Sequence, residues 1–593
     1  MNNSFKITLE NLKKQIDVAM KRKEADLIFK NAKYVNVFLE SIETADIVIA
    51  DGVVVAFGKP GEYKGKTEID MSGKILSPAL MDSHIHLESA IVSPRSFRDI
   101  VVPHGTCAVI ADPHEITNVA GEQGLDYMIE MSKDLDLRVL YGIPSCVPAT
   151  PLDEAGAVLT AADMKKMYDK ERIYGIGEMM NLFGIVHNDE ECLKKCIDCR
   201  DEDGLLDGHA PMVVGENLDA YLCTGIDTDH ECETYEEGLE KLGKGEWVEI
   251  REGTACKNLN SLVGLIKAPY HNRCMFSTDD GHPDYLREVG HIDAKIRMAI
   301  EKGVDPILAI KVGSFNIARH YRLRKMGAIG IGYKADIIVL DDLNTFKINS
   351  VYLAGEKVSE NGKVIKKFAE INNTLDKEKY NRVYDSYHME EITPDKLSFG
   401  KTGTKQKVIV LEKGGVVTNE EVVDITPTKD GLAYGVDHDR DILKVAVFER
   451  HKKTGHIGLG FIKGYGLRGG AVATSIAHDS HNLIVVGDSD ESIALAANTV
   501  RKNKGGIAVI KGNKVLAELK LEVAGIMTEQ NEDYVVKVMD DLKDKAYNEL
   551  NCSKDYDPFM TLAFMSLPVI PRLKIITTGL IEVATQEKQE AIF

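Results

Sequence analysis

Two histidines separated by a single residue, His84 and His86, follow an apolar run in the stretch LSPALMDSHIHLES. If this stretch is a β-strand, its side chains alternate between two faces, so both imidazoles point to the same side. Neutral imidazole is the commonest protein ligand for zinc, manganese or iron. The pair therefore predicts half of a metal site at a strand end. The alternative, two solvated loop histidines, fits less well with the apolar run and the flanking acids.

Further donor side chains follow apolar segments along the chain, within GIGEM, DGHAP, DTDHE and STDDGH. Each is weak evidence by itself, because glycine, aspartate and histidine are ordinary loop residues. Together they predict a site for one or two divalent ions. Two ions need a bridging ligand, and Glu178 can supply both of its oxygens. The predicted metal ligands are His84, His86, Glu178, His209, His230 and Asp279.

The elements that must position these residues are short apolar strands that alternate with helical stretches, a pattern typical of a parallel sheet. Eight such units over roughly 250 residues predict a (β/α)8 barrel, whose active site lies at the carboxyl ends of its strands. A doubly wound open sheet is the structural alternative. The predicted strands are Ile75 to His86, Thr106 to Asp112, Arg138 to Ile143, Ile173 to Glu178, Leu205 to His209, Leu222 to Ile226, Glu246 to Arg251 and Arg273 to Asp279.

Two strand-rich segments flank the barrel and predict a composite small β-sandwich from residues 25–74 and 328–370. The catalytic barrel is assigned to residues 75–327, and an N-terminal helical segment to residues 1–24. After a charged linker, residues 382–593 are expected to form an additional C-terminal α+β domain. The overall prediction is a multidomain α/β protein, as expected for 593 residues.

The C-terminal part contains one distinctive stretch, GYGLRGGAVATSIAHDSHNLIVVG, in which His478, Asp479 and His481 interrupt two apolar runs. One interpretation is a polar turn between a buried helix and a strand. The other is a lid, or an additional polar wall, over the mouth of the barrel. The second interpretation would bring these side chains close to a bound substrate.

Composition and charge disfavour several classes of partner. The formal net charge is -20, and no block of lysine and arginine is interleaved with aromatic residues. Nucleic acid and anionic membrane are poor partners for such a surface. No stretch approaches the roughly 20 apolar residues that span a bilayer, and the N-terminus does not look like a secretion signal. We expect a soluble, cytoplasmic protein that forms homo-oligomers.

Three of the ten cysteines, Cys192, Cys196 and Cys199, have the spacing of the cysteines that hold an iron–sulfur cluster in radical enzymes. The surrounding run NDEECLKKCIDC looks helical, and the three thiols fall at positions i, i+4 and i+7. We therefore expect them to be buried, reduced side chains on one face of a helix.

The pattern of donors between Ala25 and Val364 resembles that of the amidohydrolase superfamily. In that superfamily a His-x-His on the first strand, a carboxylated lysine or glutamate on the fourth, histidines on the fifth and sixth, and an aspartate on the eighth hold one or two metals. The resemblance gives these roles to the six residues named above, with Glu178 in the place of the carboxylated lysine. It implies a metallo-dependent hydrolase barrel.

A closer resemblance is to the bacterial adenine deaminase family. It rests on MDSHIHLES, ADPHEI, GEMMN, DGHAP, STDDGHP and AVATSIAHDSHN, which are spread over nearly the whole chain. It implies purine salvage by hydrolysis of adenine to hypoxanthine and ammonia. It also implies a Mn²⁺ or Fe²⁺ centre, expected to be binuclear, with Zn²⁺ as a further candidate. Spacing and composition by themselves do not name adenine.

The expected mechanism needs a base and an acid. A metal that lowers the pKa of bound water generates the nucleophile, and a ring nitrogen must gain a proton before ammonia leaves. Asp279 is the expected proton acceptor. The first candidate acid is Glu88, which shares a face with the two histidines if the strand continues; its alternative role is to orient His84 or His86. The other candidate acids are Asp280, His282 and the pair Asp112 and His114. Candidates for contacting substrate or for holding a metal ligand in place are Asp112, His114, His478, Asp479 and His481.

Two alternative functions remain, a second enzymatic one and one from a different class. The same metal centre could hydrolyse a cyclic amide or deacetylate an amino sugar, because fold and metal do not define the substrate. A barrel that has lost catalysis and serves as a binding protein would lack ligands, yet all six are present. The zinc deaminase pattern His-x-Glu followed by Pro-Cys-x-x-Cys is not found in the sequence, which disfavours that other deaminase fold.

Overall fold

A computed structural model describes residues 7–254, 256–369, 375–412 and 416–593. Each of the four predicted domains includes residues outside these ranges: residues 1–6 of the N-terminal segment, residue 370 of the composite domain, residue 255 of the barrel and residues 413–415 of the C-terminal domain. The domain boundaries themselves stay a prediction.

The centre of the chain folds as a (β/α)8 barrel of short parallel strands. Most of these strands are buried on both faces, which explains their nearly continuous apolar sequences. Asp279 and Asp280 pair with Ile85 and His86, which joins the last strand to the first. In chain order the strands are Leu80–His86, Thr106–Ala111, Arg138–Ile143, Ile173–Met179, Leu205–Gly208, Thr228–Asp229, Trp247–Arg251 and Cys274–Ser277, followed by the short Asp279–Asp280.

Two predicted strands differ from the structure. The first predicted strand is divided into two, because the chain passes from the composite sheet to the barrel after Pro78, which has no N–H to continue the ladder. Ala79 N still donates to Asp336 O at 3.0 Å, whereas Leu80 N donates to Gly105 O at 2.8 Å. The sixth, predicted at Leu222 to Ile226, was wrong. A helix, Gly215–Cys223, occupies its first half, and the strand is Thr228–Asp229. A short apolar run does not separate helix from strand by periodicity.

Helices cover the outside of the barrel. One of them, Glu190–Asp201, carries Cys192, Cys196 and Cys199 on its buried side, so the prediction of a helical, buried cluster is confirmed. The helices are Pro94–Val101, His114–Ala120, Glu122–Met131, Ala161–Met164, Leu182–Val186, Glu190–Asp201, Gly215–Cys223, Tyr235–Gly243, Leu259–Leu262, Pro283–Glu288, Ile292–Glu301, Pro306–Val312 and Phe315–His320.

The two flanking strand-rich segments share one mixed sheet, in which Ile75–Pro78 pairs antiparallel with Ile337–Leu340. An N-terminal helix, Leu9–Ala19, begins at a Thr8 cap and buries Val18 against this sheet. The strands of the sheet are Ala25–Asn36, Ser41–Ala50, Val53–Gly58, Gly65–Asp70, Ile75–Pro78, Ile337–Leu340, Ile348–Leu353, Glu356–Glu360 and Lys363–Val364.

The C-terminal part is built on a largely antiparallel sheet, against which the helix Asp490–Asn503 packs Ile493 and Val500. Its strands are Lys405–Leu411, Thr418–Asp424, Ile442–Phe448, Ile457–Lys463, Gly470–Thr474, Leu483–Gly487, Gly506–Lys511 and Lys514–Lys520. The other elements of this part are the helices Asn381–Tyr384, Glu532–Asp544 and Pro558–Ala563, and the strands Leu573–Ile576, Gly579–Glu582 and Glu587–Gln589. Among the described residues, none of the helices combines the length and the apolar character of a membrane span.

The C-terminal part lies directly on the barrel. Thr528 N donates to Ile91 O at 2.9 Å, and Asn482 Nδ2 donates to Glu154 O at 2.9 Å. Lys543 Nζ forms an ion pair with Asp284 at 2.6 Å. These contacts bring residues of the C-terminal part to the carboxyl ends of the barrel strands.

Candidate metal centre

The first barrel strand places His84 and His86 side by side, and their Nε2 atoms are 3.2 Å apart. Both rings are almost completely buried. His86 Nδ1 lies 2.9 Å from the carbonyl oxygen of Asp112, which can only accept a hydrogen bond. The proton of a neutral His86 is therefore on Nδ1, and Nε2 presents a free lone pair to the site.

Glu178, at the end of the fourth strand, faces two different groups of histidines with its two oxygens. Oε1 lies 3.5 Å from His86 Nε2 and 3.3 Å from His114 Nδ1. Oε2 lies 2.7 Å from His209 Nδ1 and 3.2 Å from His230 Nε2. A carboxylate with one oxygen toward each group has the arrangement of a bridging ligand.

Asp279 completes the cluster. It follows Thr278, the first residue after the eighth strand. Its Oδ1 lies 3.1 Å from His86 Nε2 and 4.0 Å from His84 Nε2. The ring of His230 stacks on that of His84 with centroids 4.0 Å apart. The structure thus brings all six predicted ligand residues into one buried cluster, with donor atoms of His84, His86 and Asp279 within 4.8 Å of one another.

Charge balance keeps the two carboxylates ionised in this buried setting. Burial by itself would raise the pKa of the Glu178 carboxyl, but His209 and His230 hold that pKa well below its usual value. Burial would likewise raise the pKa of Asp279, and Arg251 and His86 lower it well below the usual range. Both side chains are therefore available as anionic oxygen donors.

Arg251 and Glu231 are site residues that the sequence did not predict. Arg251 Nη1 donates to Asp279 Oδ2 at 2.5 Å and to Glu231, while Nη2 donates to Glu231 Oε2 at 2.8 Å. Glu231 Oε1 lies 3.4 Å from His230 Nε2. The available signal was position alone: Arg251 ends the seventh strand, and Glu231 directly follows a predicted ligand.

Asp112, His114 and Asp479 support the cluster from one side. Asp112 Oδ2 accepts a hydrogen bond from the backbone N of Glu178 at 2.8 Å. His114 lies between the barrel and the C-terminal part, since its Nδ1 is near Glu178 and its Nε2 is 3.6 Å from Asp479 Oδ1. A small cavity lies beside this cluster, and His114 and Asp479 are among the residues that line it.

The candidate acids lie in different places. Asp280 lines the cavity and accepts a hydrogen bond from Ser89 Oγ. Glu88 does not continue the strand, because the chain turns into a 3₁₀ helix, Leu87–Ala90, immediately after His86. Its Oε1 accepts a hydrogen bond from Ile116 N at 3.2 Å, and burial raises its pKa to about 7. His282 lies 3.7 Å from Asp557, away from the described lining of the cavity.

Residues of the C-terminal part close the cavity opposite the predicted metal ligands. His478 and Asp479 line it, together with the apolar side chains of Phe564, Leu567 and Ile570. His481 lies behind them, with Nε2 3.6 Å from Glu115 Oε2. The stretch that contains His478 therefore forms part of a wall over the barrel mouth, as one of its two interpretations predicted.

Comparisons with known proteins cover nearly the whole chain. The model of the Amidohydrolase family matches residues 75–365, and that of the Adenine deaminase C-terminal domain matches residues 415–587. An adenine deaminase of Clostridium acetobutylicum is 40% identical over 96% of this chain and 98% of its own. Adenine deaminase 2 of Carboxydothermus hydrogenoformans is 39% identical over 97% of this chain and 99% of its own.

Solved structures are more distant. A beta-aspartyl dipeptidase of Fervidobacterium islandicum AW-1 is 18% identical, with a TM-score of 0.44 over 59% of this chain and 99% of its own. An adenosine deaminase from Xanthomonas campestris with bound zinc is 12% identical, with a TM-score of 0.42 over 60% of this chain and 97% of its own.

Proposed function

The chain belongs to the adenine deaminase family of the amidohydrolases and hydrolyses adenine to hypoxanthine and ammonia, and on that premise we propose which of its residues carry the reaction. The barrel residues bind the metal and the reacting water, and the C-terminal residues close the site. The shared C-terminal domain favours adenine over a cyclic amide or an amino sugar.

The donor set fits a binuclear centre. His84, His86 and Asp279 would hold one divalent ion, His209 and His230 the other, and Glu178 would bridge them. The observation that carries this proposal is the position of Glu178, whose two oxygens face different groups of imidazoles. His209 Nε2 is buried without a hydrogen-bond partner among the described residues. Nitrogen and oxygen donors of this kind suit Mn²⁺ or Fe²⁺, with Zn²⁺ as a further candidate.

The bound metal supplies Lewis acidity, which lowers the pKa of water and polarises the substrate. Asp279 accepts a proton from the attacking water, because its carboxylate is ionised and lies at the centre of the cluster. Arg251 holds Asp279 in orientation. A new C–O bond forms at the amino-bearing carbon, and the C–N bond breaks as the amino group takes up a proton and leaves as ammonia.

Asp280 is the acid that we assign to the purine ring. Among the candidate acids, Asp280 and His114 line the described cavity, and His114 lies between Glu178 and Asp479. Geometry takes precedence over pKa in choosing such a group. Ser89, which donates to Asp280, fixes its orientation. Glu88 and His282 are assigned supporting positions behind the site. Homo-oligomerisation and a cytoplasmic location stay predictions from size and composition.

The test is release of ammonia by the purified, manganese-loaded protein from a panel of purines and dihydropyrimidines. We expect turnover of adenine. Turnover of a dihydropyrimidine without turnover of adenine would overturn the substrate assignment, and equal activity of the metal-free protein would overturn the metal centre.

A further inference from the structure

Two kinds of side chain from the C-terminal part line the cavity. Beside the polar His478 and Asp479, it contributes an apolar side formed by Phe564, Leu567 and Ile570, whereas the barrel contributes mainly imidazoles and carboxylates. These three side chains are 4%, 3% and 9% exposed, so this side is closed to solvent. We call these three residues the apolar wall.

Several contacts fix Phe564 within the apolar wall. Its ring stacks on His478 with centroids 4.5 Å apart and an interplanar angle of 26°. The backbone N of His478 donates to Ala563 O at 3.1 Å, and Lys574 Nζ donates to Phe564 O at 3.1 Å. The preceding helix is capped by Asp557, which accepts from Phe559 N and Met560 N at 3.0 Å each. Phe564 is therefore held from two sides.

This wall matches one chemical property of the substrate. A purine base has a flat apolar face, and an aromatic side chain that stacks on this face strengthens binding of the base substantially. When the amino-bearing carbon lies at the metal-binding residues, the five-membered ring points away from them. A sugar on that ring would place hydroxyl groups against an apolar wall that offers them no hydrogen-bond partners, which is strongly unfavourable.

We propose that Phe564 is a specificity-determining residue: its ring supports the bare base and excludes purines that carry a sugar on the five-membered ring. This inference rests on the proposed function. It assigns to the C-terminal part the recognition of the base, while the reacting groups come from the barrel.

The test compares Phe564→Ala and Phe564→Leu with Phe559→Ala in the full-length, manganese-loaded protein. Phe559 is a buried phenylalanine in the neighbouring helix and is not among the described residues that line the cavity. The substrates are adenine, 9-methyladenine and adenosine, and kcat and KM are measured separately. Circular dichroism and thermal unfolding report whether each variant folds.

For Phe564→Ala we expect KM for adenine to rise about tenfold, with kcat within about threefold of wild type. The preference for adenine over adenosine should fall about tenfold or more, whereas 9-methyladenine, which brings no hydroxyl group to the wall, should follow adenine in its rise of KM. Phe564→Leu, which keeps apolar volume but has no ring, should raise KM and retain the preference. Phe559→Ala should change neither quantity.

An unchanged KM in Phe564→Ala, an unchanged preference, or an equal effect of Phe559→Ala would overturn the inference. If Phe564→Ala does not fold, an unchanged KM in Phe564→Leu overturns it. These outcomes differ from failure of the proposed function, because in that case the wild-type protein itself would release no ammonia from adenine.

Discussion

Arg251 donates from Nη1 to Oδ2 of Asp279 across 2.5 Å, inside a site from which both side chains have almost no access to solvent. The same guanidinium also binds Glu231. One cation thus compensates two buried carboxylates that face the proposed metal-binding histidines. Its planar fork, which presents several donors in fixed directions, suits this double contact better than a lysine would.

Arg251→Gln should lower kcat/KM for adenine about 10–100-fold, because it loosens a residue that holds a metal ligand in place. It removes the cation that lowers the pKa of Asp279. That pKa should rise, so the acid limb of the pH–rate profile should move to higher pH. The buried carboxylates of Asp279 and Glu231, left without their cation, should also lower the free energy of unfolding by about 3–5 kcal/mol. Arg322→Gln, at an exposed arginine, is the matched control. An unshifted acid limb in Arg251→Gln would contradict this assignment.

Glu178→Gln should reduce both metal content and turnover, because a neutral amide cannot bridge two cations through two anionic oxygens. We expect metal affinity to fall by at least about 10–100-fold. Elemental analysis after dialysis, together with the ammonia assay, measures both effects. Glu190→Gln changes the same chemical group at an exposed helix position. Full metal occupancy in Glu178→Gln would remove Glu178 from the ligand set.

Asp279→Asn should lower kcat by roughly 10²–10⁴-fold even at saturating metal, since the amide cannot accept a proton. The amide oxygen can still act as a donor, so metal content should fall less than the rate does. Rates measured over a range of manganese concentrations separate the two effects. Asp203→Asn, at an exposed aspartate, provides the comparison. Near-normal turnover of Asp279→Asn would exclude Asp279 as the base.

Lys574 gives a prediction about stability rather than catalysis. Its ammonium group is fully buried, donates to the carbonyls of Val416 and Phe564, and burial lowers its pKa to about 7 from the usual 10.5. Since the unfolded chain binds this proton more tightly, the contribution of Lys574 to stability should become more favourable as pH rises from about 7 to 10.5, by up to about 5 kcal/mol.

Lys574→Met removes this titration. The difference in Tm between wild type and Lys574→Met should therefore shift in favour of wild type between pH 7 and pH 10. The exposed Lys588→Met serves as a control and should show no such trend. A difference in Tm for Lys574→Met that does not vary with pH would show that Lys574 keeps an ordinary pKa in the folded protein.

Much of the barrel could be predicted from the sequence because the relevant signals are local. An apolar strand followed by a donor residue is visible in a single stretch, as at Glu178 and His209, and strand order then fixes the edge at which the donors meet. The sixth strand was misplaced because Leu222 to Ile226 is too short for periodicity to distinguish a strand from a helix. In the structure the helix Gly215–Cys223 ends in this segment, and its buried residues are Leu218 and Tyr221.

The remaining site residues depend on contacts between distant segments. Nothing near Arg251 in sequence indicates that it reaches Asp279, and nothing near Phe564 indicates a position opposite the barrel histidines. Glu88 was predicted to face the metal because an extended strand was assumed, and a 3₁₀ turn after His86 removes that geometry. Such details follow from tertiary packing, which overrides local preferences.

The six proposed ligands lie between positions 84 and 279, whereas the apolar wall lies between positions 564 and 570. In the proposed assignment, water activation and selection of the base are encoded in separate parts of the gene. A recombination point between codons 365 and 405, after the last strand of the composite sheet and before the first strand of the C-terminal sheet, would exchange the C-terminal part as a unit, together with its contacts to the barrel such as that of Asp479 with His114. If the C-terminal part selects the base as proposed, such an exchange would change the heterocycle on which the barrel acts.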